Sequence, residues 1–83
     1  MGRKFYFNTD DESYEPDPDG TELGSLHEAR RETIKLLSEL LVNGKGDALL
    51  TGGSLRVWVT DKPKGGGQTL FALRVSNLDG DPE

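Results

Sequence analysis

The sequence of 83 residues contains no cysteine, which excludes disulfide bridges, thiolate metal sites and cysteine nucleophiles. Because small secreted domains commonly depend on disulfides, this absence favours a cytoplasmic protein. No apolar run approaches the roughly 20 residues that cross a membrane, and no apolar stretch of signal-peptide length follows the N-terminal methionine. The sequence therefore predicts one small soluble domain with no membrane association.

Histidine is nearly absent as well, since His27 is the only one in the chain. A hydrolytic site needs a nucleophile, a base and a group that orients the base. Ser25 and Glu28 are near His27 in sequence, but a helical turn presents these residues on different sides, and Ser25 is expected to cap the helix. The glycine-rich segments around Lys45 and Lys64 lack the residue order of a phosphate-binding loop. We therefore predict no catalytic residue, no cofactor and a protein that is not an enzyme.

The formal net charge of −5 is unevenly distributed along the chain. Seven acidic residues and no basic residue lie between Asp10 and Glu22, whereas residues 23–78 contain eight basic and five acidic residues. The overall excess of acid argues against nonspecific nucleic-acid binding, which requires a basic surface.

Three acidic residues near the middle of this segment, Glu15, Asp17 and Asp19, precede Gly20 at alternate positions. This spacing superficially resembles the start of a calcium-binding loop, whose twelfth residue should be a bidentate glutamate. The twelfth residue here is Leu26. We therefore predict a solvated acidic loop without a metal site, and we retain these three acids as candidate ligands for the alternative of an ion-responsive loop.

Residue periodicity predicts three strands and one helix. Apolar and polar residues alternate, as in half-buried strands, in Lys4–Asn8, Ser54–Thr60 and Gln68–Val75. Residues 26–42 instead repeat apolar side chains every three or four positions, which is typical of an amphipathic helix. The expected stripe contains Leu26, Ala29, Thr33, Ile34, Leu37, Leu40 and Leu41. Ser25 and Glu28 should form a capping box at its start, and Asn43-Gly44 should end it.

These elements predict an α+β fold of two layers, with one amphipathic helix packed on an antiparallel sheet in the order β-loop-α-β-β. The sheet has three strands, or four if Tyr14 forms a short edge strand. Residues 1–78 form the domain, with the acidic loop at 10–24, a flexible connection at 44–53 and a disordered tail at 79–83. In the hairpin we expect Val57 opposite Phe71 and Leu55 opposite Leu73, with both pairs facing the helix.

The side of the sheet that faces away from the helix, here called the outer face, provides the candidate interaction surface: Lys4, Tyr6, Arg56, Trp58 and Arg74, with Leu70 and Ala72 beside them. Aromatic rings next to cations are typical of protein interfaces and also of platforms that stack single-stranded nucleic acid. Because the chain is acidic overall, we favour a protein partner or a homodimer, with a nucleic-acid-binding regulator as the alternative. A further interpretation is that Trp58 lies under the acidic loop or the tail as part of the core.

Several short patterns resemble one known family. They are F-Y-F at 5–7, D-x-D-G-T-E-L at 17–23, Ala29-Arg30, V-T-D at 59–61 and L-F-x-L at 70–73, with G-T-E-L as the most specific part. Together they resemble domain of unknown function 6894, a family of short bacterial proteins frequent in rhizobia. The resemblance implies an uncharacterised bacterial protein and brings no activity, cofactor or catalytic residue with it. The order of elements is also similar to that of HicB-type antitoxins, a fold-level analogy that underlies the antitoxin-like form of the nucleic-acid alternative.

Overall fold

A computed structural model describes residues 2–10, 14–45, 47–50 and 52–76. Its strands are β1 Arg3–Asp10, β2 Tyr14–Glu15, β3 Thr21–Leu23, β4 Ser54–Thr60 and β5 Thr69–Ser76. Its helices are α1 Leu26–Leu40, a π-helical turn Leu41–Lys45, α2 Asp47–Leu50 and a 3-10 turn Pro63–Gly65. The strands are antiparallel in the order β2-β1-β4-β5, and β3 also pairs with β1. The predicted α+β class is confirmed, whereas the predicted tail at 79–83 lies outside the described residues.

The first turn of α1 is capped largely as the sequence predicts. The Ser25 Oγ accepts a hydrogen bond of 3.2 Å from the Glu28 amide. The Glu28 carboxylate in turn accepts from the Gly24 amide at 2.7 Å, one residue before the amide expected for a capping box. The α-helix ends at Leu40, and the helical backbone continues to the predicted end: Asn43 and Gly44 are the first residues after it with non-helical dihedral angles, and Gly44 takes the left-handed φ of +103°. No helix in the part of the chain that the structure describes is long and apolar enough to span a membrane.

The core lies between α1 and the centre of the sheet. Phe5, Ala29 and Val59 are completely buried, and Phe7, Leu23, Leu26 and Leu70 pack around them. The small side chain of Ala29 allows α1 to approach the sheet closely. Thr33, one turn later, is also fully buried, and its hydroxyl donates to the Ala29 carbonyl at 2.8 Å. Ile34, which we expected in the buried stripe, is 52 % exposed because the positions that face the sheet centre are taken by Ala29 and Thr33.

The pairing of β4 with β5 differs from the predicted register by two residues as far as the Val59–Phe71 pair, and by one residue at Thr60–Thr69. The observed pairs are Leu55–Val75, Val57–Leu73, Val59–Phe71 and Thr60–Thr69. A shift of two leaves each side chain on its predicted face, so the apolar residues of both strands still face α1. The exception is Leu70, the extra residue in a bulge opposite the Val59–Thr60 step. Instead of lying on the outer face, Leu70 packs against the core.

The two segments that we expected to lack regular structure contain short elements. Within the acidic loop, the edge strand around Tyr14, which the sequence left open, is present as β2, and β3 was not predicted. Both strands pair with β1, on the edge that β4 leaves open. The connection at 44–53 includes α2, where Leu50 is 80 % exposed. These elements are too short for residue periodicity to detect them.

Candidate interaction site

Two loops of the chain cover the centre of the outer face. One is the segment 14–20 and the other is the hairpin loop 61–67, and they meet where the Lys64 amide donates to the Asp17 carbonyl at 2.8 Å. Lys64 makes this contact with a φ of +60°, which is uncommon for a residue with a side chain. Beneath the two loops, Asn8 and Thr60 are completely buried and Trp58 is 7 % exposed. The outer face is therefore partly interior.

The buried amide of Asn8 connects β1, β4 and the acidic loop. Its Nδ2 lies within donating distance of the Trp58 carbonyl and the Thr60 hydroxyl, both at 3.2 Å, and of the Tyr6 carbonyl at 3.3 Å. Its Oδ1 accepts from the Asp17 amide at 2.8 Å. A buried side-chain amide is costly unless it is hydrogen-bonded. Here both ends of the amide have partners, so Asn8 fixes the loop on the sheet.

The Asp17 carboxylate organises the acidic loop from within. Its Oδ2 accepts a hydrogen bond from the Phe7 amide at 3.0 Å. Phe7 lies between the part of β1 that pairs with β2 and the part that pairs with β3, so the carboxylate gives its amide a partner there. Its Oδ1 accepts from the amides of Asp19 and Gly20 at 3.0 and 3.1 Å. The two bonds to Oδ1 form a side-chain-nucleated turn, a common role of aspartate in loops, and the bond to Oδ2 attaches this turn to β1.

This arrangement bears on the candidate metal ligands Glu15, Asp17 and Asp19. The central candidate, Asp17, already directs both carboxylate oxygens at backbone amides. The other two are exposed. Across residues 2–10, 14–45, 47–50 and 52–76, no group of three histidine, cysteine or acidic side chains is placed to bind an ion. Asp17 therefore acts as a structural residue of the loop.

Trp58 is covered, so the expectation that it forms an exposed platform is wrong. The ring of Tyr14, from the acidic loop, stacks on the indole with centroids 5.7 Å apart and planes at 22°. The guanidinium of Arg56 lies 4.1 Å from the indole centroid. The alternative interpretation, with Trp58 under the acidic loop, describes the structure. Periodicity places Trp58 on the outer face but cannot tell what lies over that face.

The remaining predicted surface residues separate into two groups. Lys4 and Tyr6 lie on β1, where Lys4 is exposed and Tyr6 is half-buried with its ring against Gly20. Arg56 and Arg74 are exposed and stand directly opposite each other on β4 and β5. Trp58 lies between the two groups in the sheet. The structure thus brings the two arginines together and does not unite the five residues in one open surface.

The outer edge of β5 is a second candidate surface. β5 pairs with β4 on one side, and no strand within the described residues pairs with its other side. It has eight residues, no proline and one charged side chain, Arg74. On the helix-facing side its apolar residues Phe71, Leu73 and Val75 are only half-buried. Within residues 1–83 the sequence predicts no strand after the second arm of the hairpin, and this is the signal it contains for the edge.

An exposed apolar side chain of α1 lies on the same side of the domain as β5. The Arg30 guanidinium lies 5.7 Å from the Phe71 ring centroid, so this side of α1 faces β5. Ile34 follows Arg30 by one helical turn and therefore lies on the same side of the helix. It is 52 % exposed. Ile34 therefore lies on the side of α1 that faces β5, where Phe71, Leu73 and Val75 are half-buried.

Comparison with known proteins identifies a family and no characterised relative. The sequence pattern of one family, described as Domain of unknown function (DUF6894), matches residues 4–80. Neither the curated proteins nor the solved structures compared with the chain gave a significant match. The match spans nearly the whole sequence and includes the helix and all five strands, apart from the first residue of β1. The chain therefore belongs to the family of the Domain of unknown function (DUF6894).

Proposed function

We propose that this domain is a non-catalytic interaction module of the bacterial cytoplasm that pairs through the open edge of β5 with a second copy of itself. The observation that carries the proposal is the eight-residue edge that no described strand covers. Such an edge presents unpaired backbone N–H and C=O groups and is a template for another strand. Natural domains commonly protect such edges with charges, proline or bulges. Along this edge the single charge of Arg74 and the Leu70 bulge provide limited protection.

The residue order of β5 favours pairing with itself. In a twofold dimer, residue i of one copy lies opposite residue j of the other, and j lies opposite i. If Leu73 lies opposite its own counterpart, Phe71 lies opposite Val75 on the helix-facing side. Ala72 then lies opposite Arg74 on the outer face, where Ala72 is exposed and leaves room for the guanidinium.

The neighbouring registers fit less well. If the twofold axis of the dimer passes through the Arg74 pair instead of the Leu73 pair, the two arginines lie directly opposite each other, which is destabilising. Moving the axis to Ala72 places Leu70 opposite Arg74. The axis at Leu73 thus avoids the like-charge pair and places the small side chain of Ala72, rather than Leu70, opposite Arg74. It also places both copies of α1 on the same side of the joined sheet, and the exposed Ile34 of each copy lies on the side of its helix that faces β5.

Sedimentation equilibrium with charge variants of Ala72 tests this proposal. Ala72→Lys places a like charge opposite Arg74 of the other copy, and Ala72→Glu places an opposite charge there. Each pair occurs twice in the dimer and is worth about 0.2–1 kcal/mol. The dissociation constant should therefore rise by about two- to thirty-fold with lysine and fall by a similar factor with glutamate.

Lys4→Gln and Glu22→Gln are matched controls for the change in charge. Lys4 and Glu22 are exposed and lie opposite each other on β1 and β3, at the other side of the sheet. Their substitution should leave the dissociation constant unchanged. A wild type that stays monomeric up to millimolar concentration contradicts the proposal. Equal effects of the Ala72 variants and their controls contradict the register.

The covered indole reduces the support for the nucleic-acid alternative. Stacking of single strands needs an open aromatic face. Tyr14 and Arg56 instead occupy the surroundings of Trp58. The net charge of −5 also opposes binding to a polyanion. A protein partner therefore remains the better supported class.

A further inference from the structure

A row of three charged residues crosses the outer face at one end of the sheet. Asp10 of β1 lies opposite Arg56 of β4, and Arg56 lies opposite Arg74 of β5. The Arg56 guanidinium is 3.7 Å from the Asp10 carboxylate. Arg74 makes no ion pair within the described part of the chain. Among the residues that the structure describes, one acid therefore accompanies two arginines, although like charges directly opposite each other destabilise a sheet.

Arg56 is fixed in place by two contacts, one with Asp10 and one with the indole of Trp58, whose centroid lies 4.1 Å from the guanidinium carbon. The indole is in turn stacked against Tyr14. A guanidinium restrained in this way loses less side-chain freedom when it binds a ligand. These two contacts give Arg56 more restraint than an isolated surface arginine has.

An open depression accompanies the charged row. Its volume is about 250 Å³, and it is lined by Asp10, Ser54, Arg56 and Arg74. Ser54, the first residue of β4, adds a hydroxyl that can donate or accept a hydrogen bond. The described residues that line the depression carry a formal charge of +1, from two arginines and one aspartate. Charge and donors together suit a small anion.

We propose that this depression binds a single phosphate group. One guanidinium satisfies both oxygens of a carboxylate in a bidentate pair. Two guanidinium groups and a hydroxyl match an anion with more acceptor oxygens, and phosphate provides them. A nucleic-acid strand is a poorer ligand, because its further phosphates meet an acidic protein and its bases find Trp58 covered. The site lies on the outer face and does not depend on self-pairing of β5.

Titration of inorganic phosphate into isotope-labelled protein, followed by NMR at constant ionic strength, tests the proposal. Saturable shifts are expected at the Ser54 amide and at the side-chain Nε–H groups of Arg56 and Arg74. Arg74→Gln should weaken binding by about tenfold or more, as expected for losing hydrogen bonds between charged groups. Arg31→Gln removes the same charge from an exposed position on α1 and should leave binding unchanged.

Three results would overturn the proposal: the same shifts with chloride alone, full binding in Arg74→Gln, or equal loss in Arg31→Gln. Acetate serves as the carboxylate probe and should bind more weakly than phosphate. If acetate saturates the site equally well, the preference for phosphate is wrong. If a short single-stranded oligonucleotide shifts these residues and inorganic phosphate does not, a nucleic-acid strand replaces the single phosphate group as the ligand.

Discussion

Replacing Asp17 with alanine should destabilise the domain far more than its position in an acidic loop suggests. The substitution removes the acceptor for the amides of Phe7, Asp19 and Gly20. The Asp19 bond is exposed, so water can replace it at little cost, whereas the other two are partly buried. Hydrogen bonds to charged groups contribute about 1.5–3 kcal/mol each, and partial exposure reduces this value. We expect a loss of about 2–3 kcal/mol from the free energy of unfolding.

That loss is large for a domain of this size, whose expected free energy of unfolding is about 4–12 kcal/mol. Urea denaturation followed by circular dichroism and by the fluorescence of Trp58, the only tryptophan, measures it directly. Asp19→Ala is the matched control, because it removes the same charge only two residues from Asp17. The Asp19 carboxylate accepts no hydrogen bond within the described residues. Its effect should stay within about 0.5 kcal/mol. Equal destabilisation by the two variants would refute the role assigned to Asp17.

Three further predictions follow from the loops and the core. Gly65→Ala places a methyl group against the Tyr14 hydroxyl at a φ of +75°, whereas Gly52→Ala meets nothing within 4 Å at a φ of +94°. Gly52→Ala is the control. In urea denaturation Gly65→Ala should lower the free energy of unfolding by about 1 kcal/mol or more beyond Gly52→Ala, and equal losses would contradict the loop packing. Ala29→Leu, in the close contact between helix and sheet, should cost about 1–3 kcal/mol by the same assay, and a neutral effect would contradict that contact. Millimolar calcium should leave the amide shifts around Asp17 unchanged, and saturable shifts there would show that the carboxylate is free to bind an ion.

Local patterns predicted most of the secondary structure. Alternation located β1, β4 and β5, because each has one face against α1. The helix start followed from Ser25 and Glu28, whose contacts span three or four residues. The hairpin register could not be obtained in this way, since registers that differ by two residues have the same alternation. The bulge at Leu70 accounts for one of the two residues, and the other is already present at the Thr60–Thr69 pair next to the hairpin loop.

The candidate site was harder to predict because distant backbone groups build it. Asp17 accepts from an amide ten residues away, and Lys64 donates to the Asp17 carbonyl. Neither contact produces a periodic pattern of residues in the sequence. Alternation assigned Trp58 to the correct face, but the stacking of Tyr14 over the indole depends on how the acidic loop folds back. The opposition of Arg56 and Arg74 depends on the register, which places them in one cross-strand pair.

Hydrogen exchange of the β5 amides as a function of protein concentration tests most directly whether β5 is a pairing edge. Along Thr69–Ser76 the backbone amides point alternately toward β4 and away from it. Self-pairing predicts that the outward amides exchange more slowly as the concentration rises, while those bonded to β4 change less. Fast exchange of the outward amides at every concentration would contradict the account.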